Sequence, residues 1–329
     1  MAQIVGVFNM VHTPFCYMPH ERWSDVRNRR SLRSDVPLDG DEAASKQARI
    51  SSAFATLRTK LSQARPDVIV IFGDDQREYL DFNAYPQFAI YADEEFTGAL
   101  SQDDTLRYLR PEARAEAPKK TVKGHPQLAG ALLLGLQQRG FDPAFCLNVE
   151  STREVGHAFM RPAESVGVLD TPIVPIMLNC YFAPQVTAAR SYSFGKAVRE
   201  VIQAYPEDLR VAVIGSGGLW HTPGAKDAYL DEGFDRESLR LLASGDIQSA
   251  ASFFDSYCAP KGDHSQPTTE RNRTATGLPA SSGPQGGTRE FCNWIAAAAV
   301  VDGAPGVVLD YVPVYSSPVG AGFAYWPAS

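Results

Sequence analysis

Residues Arg210–His221 read RVAVIGSGGLWH. Val211, Val213 and Ile214 form a short apolar run of the kind that makes a buried strand, and Gly215, Gly217 and Gly218 stop it within one turn. Glycine admits positive φ and close backbone approach, so the segment delivers His221 at the carboxyl end of a strand, where open α/β sheets place their ligands. The spacing is not that of a dinucleotide fingerprint, because G-x-G-x-x-G and a following helix start are both missing.

The same grammar recurs on both sides of this stretch. Ile4 to Phe8 is a short apolar strand that ends in Asn9-Met10-Val11-His12-Thr13-Pro14, and Pro14 biases Thr13 away from helix. A helix is expected from about Glu42 to Ala64, capped by Asp39 or Asp41, with Ala43, Ile50, Ala53, Phe54, Leu57 and Leu61 at helical spacing. Asp67 to Phe72 (DVIVIF) is the clearest strand and runs into Gly73-Asp74-Asp75-Gln76-Arg77-Glu78. Acidic residues directly after a buried strand must be solvated, paired or bound to metal.

Further strands are expected at Phe88 to Tyr91, Ala144 to Val149, Ile173 to Asn179 and, last, Val307 to Val312. Helices are expected at His125 to Arg139, Phe194 to Ala204, Arg236 to Ala243, Ile247 to Phe254 and Thr288 to Val301. Residues 18–40, 92–123 and 261–287 read as insertions, the second as a lid or subunit contact and the third as a flexible loop. The alternation predicts one α/β domain over residues 1–329, with a central, mostly parallel sheet flanked by helices.

Composition narrows the function. The chain has 329 residues, 44% hydrophobic and 21% charged, with a formal net charge of −7, so no basic field draws nucleic acid or an anionic membrane. Five widely spaced cysteines without a C-x-x-C point to reduced thiols in a cytoplasmic protein. The N-terminus has no signal-peptide pattern, and no stretch approaches the roughly 18 apolar residues of a membrane span. A P-loop and a G-x-S-x-G nucleophile elbow are absent, and Ser216 has no base and acid in a matching order.

Of six histidines, three (His12, His157 and His221) follow expected strands, and Asp74-Asp75-Gln76 follows a fourth. Imidazole and carboxylate around open positions are what non-haem iron(II) uses to hold an organic substrate and dioxygen together. Neutral imidazoles beside such an ion also move protons near pH 7.

In collinear order, NMVHTPF, VIVIFGDDQ…FNAYPQFAIY, VKGHPQLA, VGHAF, YPEDLRVAVIGSGGLWH and GTREFCNWI resemble the class III extradiol dioxygenases, specifically the catalytic (beta) subunit of the protocatechuate 4,5-dioxygenase type. The resemblance implies one Fe(II) and a catecholic substrate that binds it alongside dioxygen, with the ring opened next to a hydroxyl-bearing carbon. It implies His12 and Glu290 as metal ligands, His221 as the acid/base and His157 as a second active-site histidine that orients substrate or oxygen.

Gln76 stands where the resemblance implies a second iron-binding histidine. Three outcomes are open: Gln76 ligates weakly, Asp74 supplies a carboxylate instead, or the site no longer holds iron. A retained metal is favoured, because His12, Glu290 and His221 otherwise lack a common purpose. The change points away from a simple catechol and toward a modified ring, such as an aminophenol or hydroxylated heterocycle. The expected partners are a small aromatic or heteroaromatic substrate and O2, in a homo-oligomer, with a small accessory subunit left open. The competing readings are a metal-dependent monooxygenase or hydrolase on the same scaffold, and a non-catalytic ligand-binding relative.

Overall fold

The strand read from VIVIF sits in the middle of the molecule, and the rest is arranged about it. In the computed structural model, which describes residues 1–101, 118–147, 153–258 and 278–327, β2 (Val68–Asp74) is buried along its whole length. It pairs in parallel with β7 (Ile173–Leu178) on one side and β8 (Arg210–Ser216) on the other, and β8 pairs in parallel with β1 (Gln3–Met10). Continuous runs of Val and Ile suit this position, because a central parallel strand is covered by helices on both faces.

Among the described residues the sheet has eight strands in the order β6-β3-β7-β2-β8-β1-β10-β9. β3 (Phe88–Tyr91) runs antiparallel to β7 and parallel to β6 (Ala144–Cys146). β10 (Val319–Pro327) runs antiparallel to both β1 and β9 (Val307–Val314). The fold is therefore an α/β domain whose large sheet is parallel at its centre.

Alternation along β2 divides the core. Val68, Val70 and Phe72 pack on one face with α3 (Pro126–Gln137), α5 (Ala188–Ala204) and α8 (Phe291–Ala299), and Ile69 and Ile71 pack on the other with α2 (Ala43–Ala64) and α4 (His157–Ser165). Fully burying each such side chain contributes about 1.5–3 kcal/mol. By the same two-residue period Asp74 falls on the α8 face. α8, FCNWIAAAA, is buried all round, which explains why it carries no charge.

Several local expectations are corrected. Neither Asp39 nor Asp41 caps α2, whose N-cap Glu42 makes no side-chain capping bond. Asp39 is instead buried, accepting from Lys46 Nζ at 2.8 Å and from the backbone of Tyr315 and Ser316. His157, expected only as a residue that follows a strand, is the first residue of α4. α5 begins six residues before Phe194, with Thr187 as its cap. α6 (Glu232–Ala243) also begins before Arg236, while α7 (Ile247–Ser256) closely follows its expectation. Val307 to Val312 is not the last strand, because β10 follows it and joins β9 to β1. Thr288, Arg289 and Glu290 lie in a 3-10 turn, Gly286–Glu290, that precedes α8.

The insertion at 18–40 contains a short helix, α1 (Trp23–Arg27), anchored by buried Trp23 and Val26. That at 92–123 contains a hairpin of β4 (Glu95–Ala99) and β5 (Lys119–Lys123). Residues 102–117 and most of the 261–287 segment lie outside the described residues, as do the last residues of the strand expected at 144–149. No helix among the described residues is long and apolar enough to cross a membrane.

Candidate metal centre

Four adjacent parallel strands end at one edge, and their register sets what meets there. Met10 of β1 lies opposite Ser216 of β8, Phe72 of β2 opposite Gly215, and Asp74 opposite Leu178 of β7. His12, Asp74, Tyr181 and the turn after Ser216 therefore emerge side by side. Glu290 arrives from the opposite end of the sequence. Asn293 Nδ2 donates to Ser216 O at 2.9 Å, and Trp294 Nε1 to Gly217 O at 3.3 Å, so the first turn of α8 is fastened to the end of β8. Gly217 has φ +146, and a Cβ there would lie 2.7 Å from that of Glu290. Only glycine admits the carboxylate this close.

His12, Asp74 and Glu290 are buried, and each offers one ligand atom within 4.8 Å of the other two. Nε2 of His12 lies 3.2 Å from Oε2 of Glu290. Two ligands about 2.1 Å from one ion at right angles would be about 3 Å apart. Glu290 Oε2 also accepts from Gly218 N at 2.9 Å, and Oε1 accepts from the Tyr181 hydroxyl at 2.5 Å. Burial works to raise the pKa of Glu290, but the charges and hydrogen bonds of His221 and His12 hold it well below the usual carboxylate range. Asp74 goes the other way: burial and the charge of Glu290 push its pKa well up.

The proton on His12 can be placed. Pro162, inside α4, has no N–H for the carbonyl of Ala158 four residues earlier. The Ser216 hydroxyl donates to that carbonyl instead, and Nδ1 of His12 lies 2.9 Å from the same hydroxyl oxygen. Since the serine proton is committed to Ala158, Nδ1 of His12 donates to Ser216, which leaves Nε2 as the ring nitrogen that faces Glu290. Nε2 of His12, the Glu290 carboxylate and a buried Asp74 oxygen, Oδ1, that has no hydrogen-bond partner form a convergent set of one nitrogen and carboxylate oxygens. That set fits a divalent cation.

Gln76 lies at the same site, but with its amide nitrogen inward: Nε2 is 3.1 Å from Asp74 Oδ2 and 3.4 Å from Glu290 Oε1. His221 is close as well. Its Nδ1 donates to Leu219 O at 3.1 Å, and its Nε2 stands 3.4 Å from Glu290 Oε1. Burial lowers its pKa, and the Glu290 carboxylate, with the Leu219 carbonyl and Asp235, more than offsets this, so the balance is upward. His157 packs edge-on against His12 with ring centres 4.8 Å apart, and its Nδ1 lies 2.5 Å from Glu78 Oε1. Burial drives its pKa down to about 4 in spite of Glu78, so the ring is neutral at pH 7.

The structure thus brings His12, Asp74, Gln76, His157, His221 and Glu290 together. Sequence reasoning missed Tyr181 and the supporting role of Ser216. Glu78 lies in the acidic stretch singled out after the VIVIF strand, and the structure gives it a partner in His157. Tyr181 carried none, since one tyrosine after β7 resembles any other.

A family model described as the catalytic LigB subunit of aromatic ring-opening dioxygenase matches residues 36–308, and the chain belongs to this family. It is 30% identical over 185 residues to a 2,3-dihydroxyphenylpropionate/2,3-dihydroxicinnamic acid 1,2-dioxygenase of Rhodococcus globerulus, covering 56% of this chain and 52% of that protein. It is 30% identical over 128 residues to a gallate dioxygenase of Pseudomonas putida, covering 37% of this chain and 36% of that protein. A Klebsiella pneumoniae enzyme with the first of these names is 27% identical over 216 residues, covering 64% and 62%. The chain thus spans less than two thirds of the length of these relatives. A crystal structure of the uncharacterized protein JW3007 of Escherichia coli K12 resembles it at 12% identity and a TM-score of 0.47, over 97% of this chain and 99% of that one.

Proposed function

We propose that the protein is a non-haem iron(II)-dependent oxygenase of the extradiol type that opens a hydroxylated aromatic or heteroaromatic ring with dioxygen. The observation that carries this is the meeting of His12, Asp74 and Glu290 ligand atoms within 4.8 Å of one another. His221 stands 3.4 Å from the same glutamate. The family match supports the reaction class, and the chain's own motifs favour the protocatechuate 4,5-dioxygenase type within it.

Iron(II), when bound by His12, Glu290 and a third group from the Asp74–Gln76 segment, supplies a Lewis-acidic centre at which a hydroxylated ring and dioxygen come together. The protein does the rest. Nδ1–H of His221 is committed to Leu219 O, so Nε2 is the atom that takes a substrate hydroxyl proton and returns it. His157, neutral and fixed through Nδ1 to Glu78, presents Nε2 as an acceptor that orients substrate or oxygen. Tyr181 and Gly218 N–H hold the Glu290 carboxylate in one orientation, as outer partners of a metal ligand commonly do.

The substrate that fits is a ring other than a simple catechol, such as an aminophenol or a hydroxylated heterocycle. The test is oxygen uptake by anaerobically iron-loaded protein against a panel of catechols, aminophenols and hydroxylated heterocycles, read with the visible absorbance of the ring-opened product. Uptake with at least one modified ring is expected. Brisk opening of catechols alone contradicts the substrate class, and no uptake with any ring contradicts the activity.

A further inference from the structure

We propose that Asp74, not Gln76, is the third protein ligand, and that Gln76 is a hydrogen-bond donor bridging the two carboxylates. The chain then binds its cation with one imidazole and two carboxylates. This rests on reading the site as a metal centre and goes beyond it in assigning the donor set.

Position comes first. Asp74 is the last residue of β2, paired with Leu178 of β7, and is wholly buried. Ligands on such elements are placed more accurately than ligands on loops. Gln76 lies two residues beyond the strand end.

The hydrogen bonds agree. Gln76 Nε2 lies within hydrogen-bond distance of Asp74 Oδ2 and Glu290 Oε1 at once, as a donor to both. Ligation through the amide oxygen requires turning the amide over, which gives up both bonds and sets an oxygen against two others. Asp74 needs no such change, because Oδ1 lies buried without a partner. Between a neutral amide and a carboxylate competing for one hard divalent ion, charge favours the carboxylate.

The donor set has a consequence for substrate. A divalent ion with one neutral imidazole and two carboxylates carries no net charge, whereas two imidazoles and one carboxylate leave one positive charge. A neutral centre stabilises a doubly deprotonated catechol less well, by Coulomb's law. It favours rings that bind after losing one proton, which include aminophenols and monohydroxylated heterocycles. Exchanging an imidazole for a carboxylate also shifts preference toward manganese(II).

The experiment is an anaerobic titration of the full chain with manganese(II), following free ion by electron paramagnetic resonance, and with iron(II). It compares wild type, Asp74→Asn and Gln76→Ala. Asp74→Asn is expected to weaken binding on the order of a hundredfold or more, and Gln76→Ala less than tenfold. Wild-type affinity in Asp74→Asn together with a large loss in Gln76→Ala overturns the assignment.

A wild-type chain that takes up neither ion overturns the metal reading itself, and so separates the two failures. A second readout needs no variant. Metal-induced infrared difference spectra of wild type carrying 13C-labelled aspartate are expected to show a label-sensitive carboxylate band. Its absence from a metal-loaded protein overturns the assignment.

Discussion

Pro162 and Ala158 stand one turn apart in α4, and the hydrogen bond that should join them cannot form. The carbonyl left over is taken by Ser216, which then receives the Nδ1 proton of His12. A proline inside a short helix thus decides which nitrogen of a histidine on another element is free to bind an ion. Ser216→Ala removes the acceptor that fixes this tautomer. Metal affinity should fall by roughly 10–100-fold, the range for partners behind a metal-binding histidine. Calorimetric titration with manganese(II) checks it, and unchanged affinity would show that Ser216 has no such role.

His221 is confined by two glycines. A Cβ on Gly287 would lie 2.1 Å from its Nε2, and one on Gly218 would lie 2.5 Å from its Nδ1. Neither glycine has positive φ, so alanine is allowed by the backbone and acts by displacing the imidazole. Gly287→Ala should lower turnover on the order of a hundredfold, the loss typical of a misplaced proton-transfer group. Steady-state kinetics beside a metal titration would read this. An equal loss of metal affinity would place the defect at Glu290 instead.

Glu78 acts through His157 on this account. Its Oε1 receives the His157 ring proton, and its Oε2 occupies the space where residue 156 would carry a Cβ, 2.2 Å from that position. Glu78→Gln should reduce kcat with little change in metal affinity, and in a His157→Ala background it should cost nothing further. A double-mutant cycle on kcat measures the coupling. Additive losses would mean that Glu78 works by another route.

Asp235 gives a pH prediction. Its carboxyl group accepts from Trp220 N at 2.7 Å and from the Tyr311 hydroxyl at 2.8 Å, tying the His221 turn to β9. Burial raises its pKa from an ordinary 3.8 to about 8. Because the folded value lies above the unfolded one, its contribution to stability is complete below about pH 4 and is lost as pH rises through about 8. Thermal unfolding should show Tm falling as pH rises from about 4 to 8 in wild type and levelling off above, and falling less steeply in Asp235→Asn. Parallel curves for the two proteins would remove Asp235 as the source.

How much of this was legible in the chain follows from which forces act locally. β2 and β8 declare themselves because strands buried on both faces must be continuously apolar. His12 and His221 are legible because each follows such a strand, whereas Glu290 as a ligand comes only from the family resemblance. β10, VGAGFAYWP, was missed: its glycines and aromatics follow no period, and its partners are set by tertiary packing. The hairpin β4–β5 is short and largely polar, so it has no sequence pattern to offer. α4 was hidden by the internal Pro162, a residue that argues against helix until its carbonyl partner is known to be satisfied from elsewhere. The inward amide of Gln76 is a matter of two carboxylates meeting across 216 residues of chain, from Asp74 to Glu290, and no local pattern encodes that.

The most direct measurement is oxygen consumption by protein reconstituted anaerobically with iron(II), run beside His12→Ala and Glu290→Ala. The account predicts ring-dependent uptake with a new visible chromophore in wild type, and loss of both iron and uptake in the two variants. Full iron binding and uptake in either variant would contradict it, as would an iron-loaded wild type that consumes no oxygen with any hydroxylated ring.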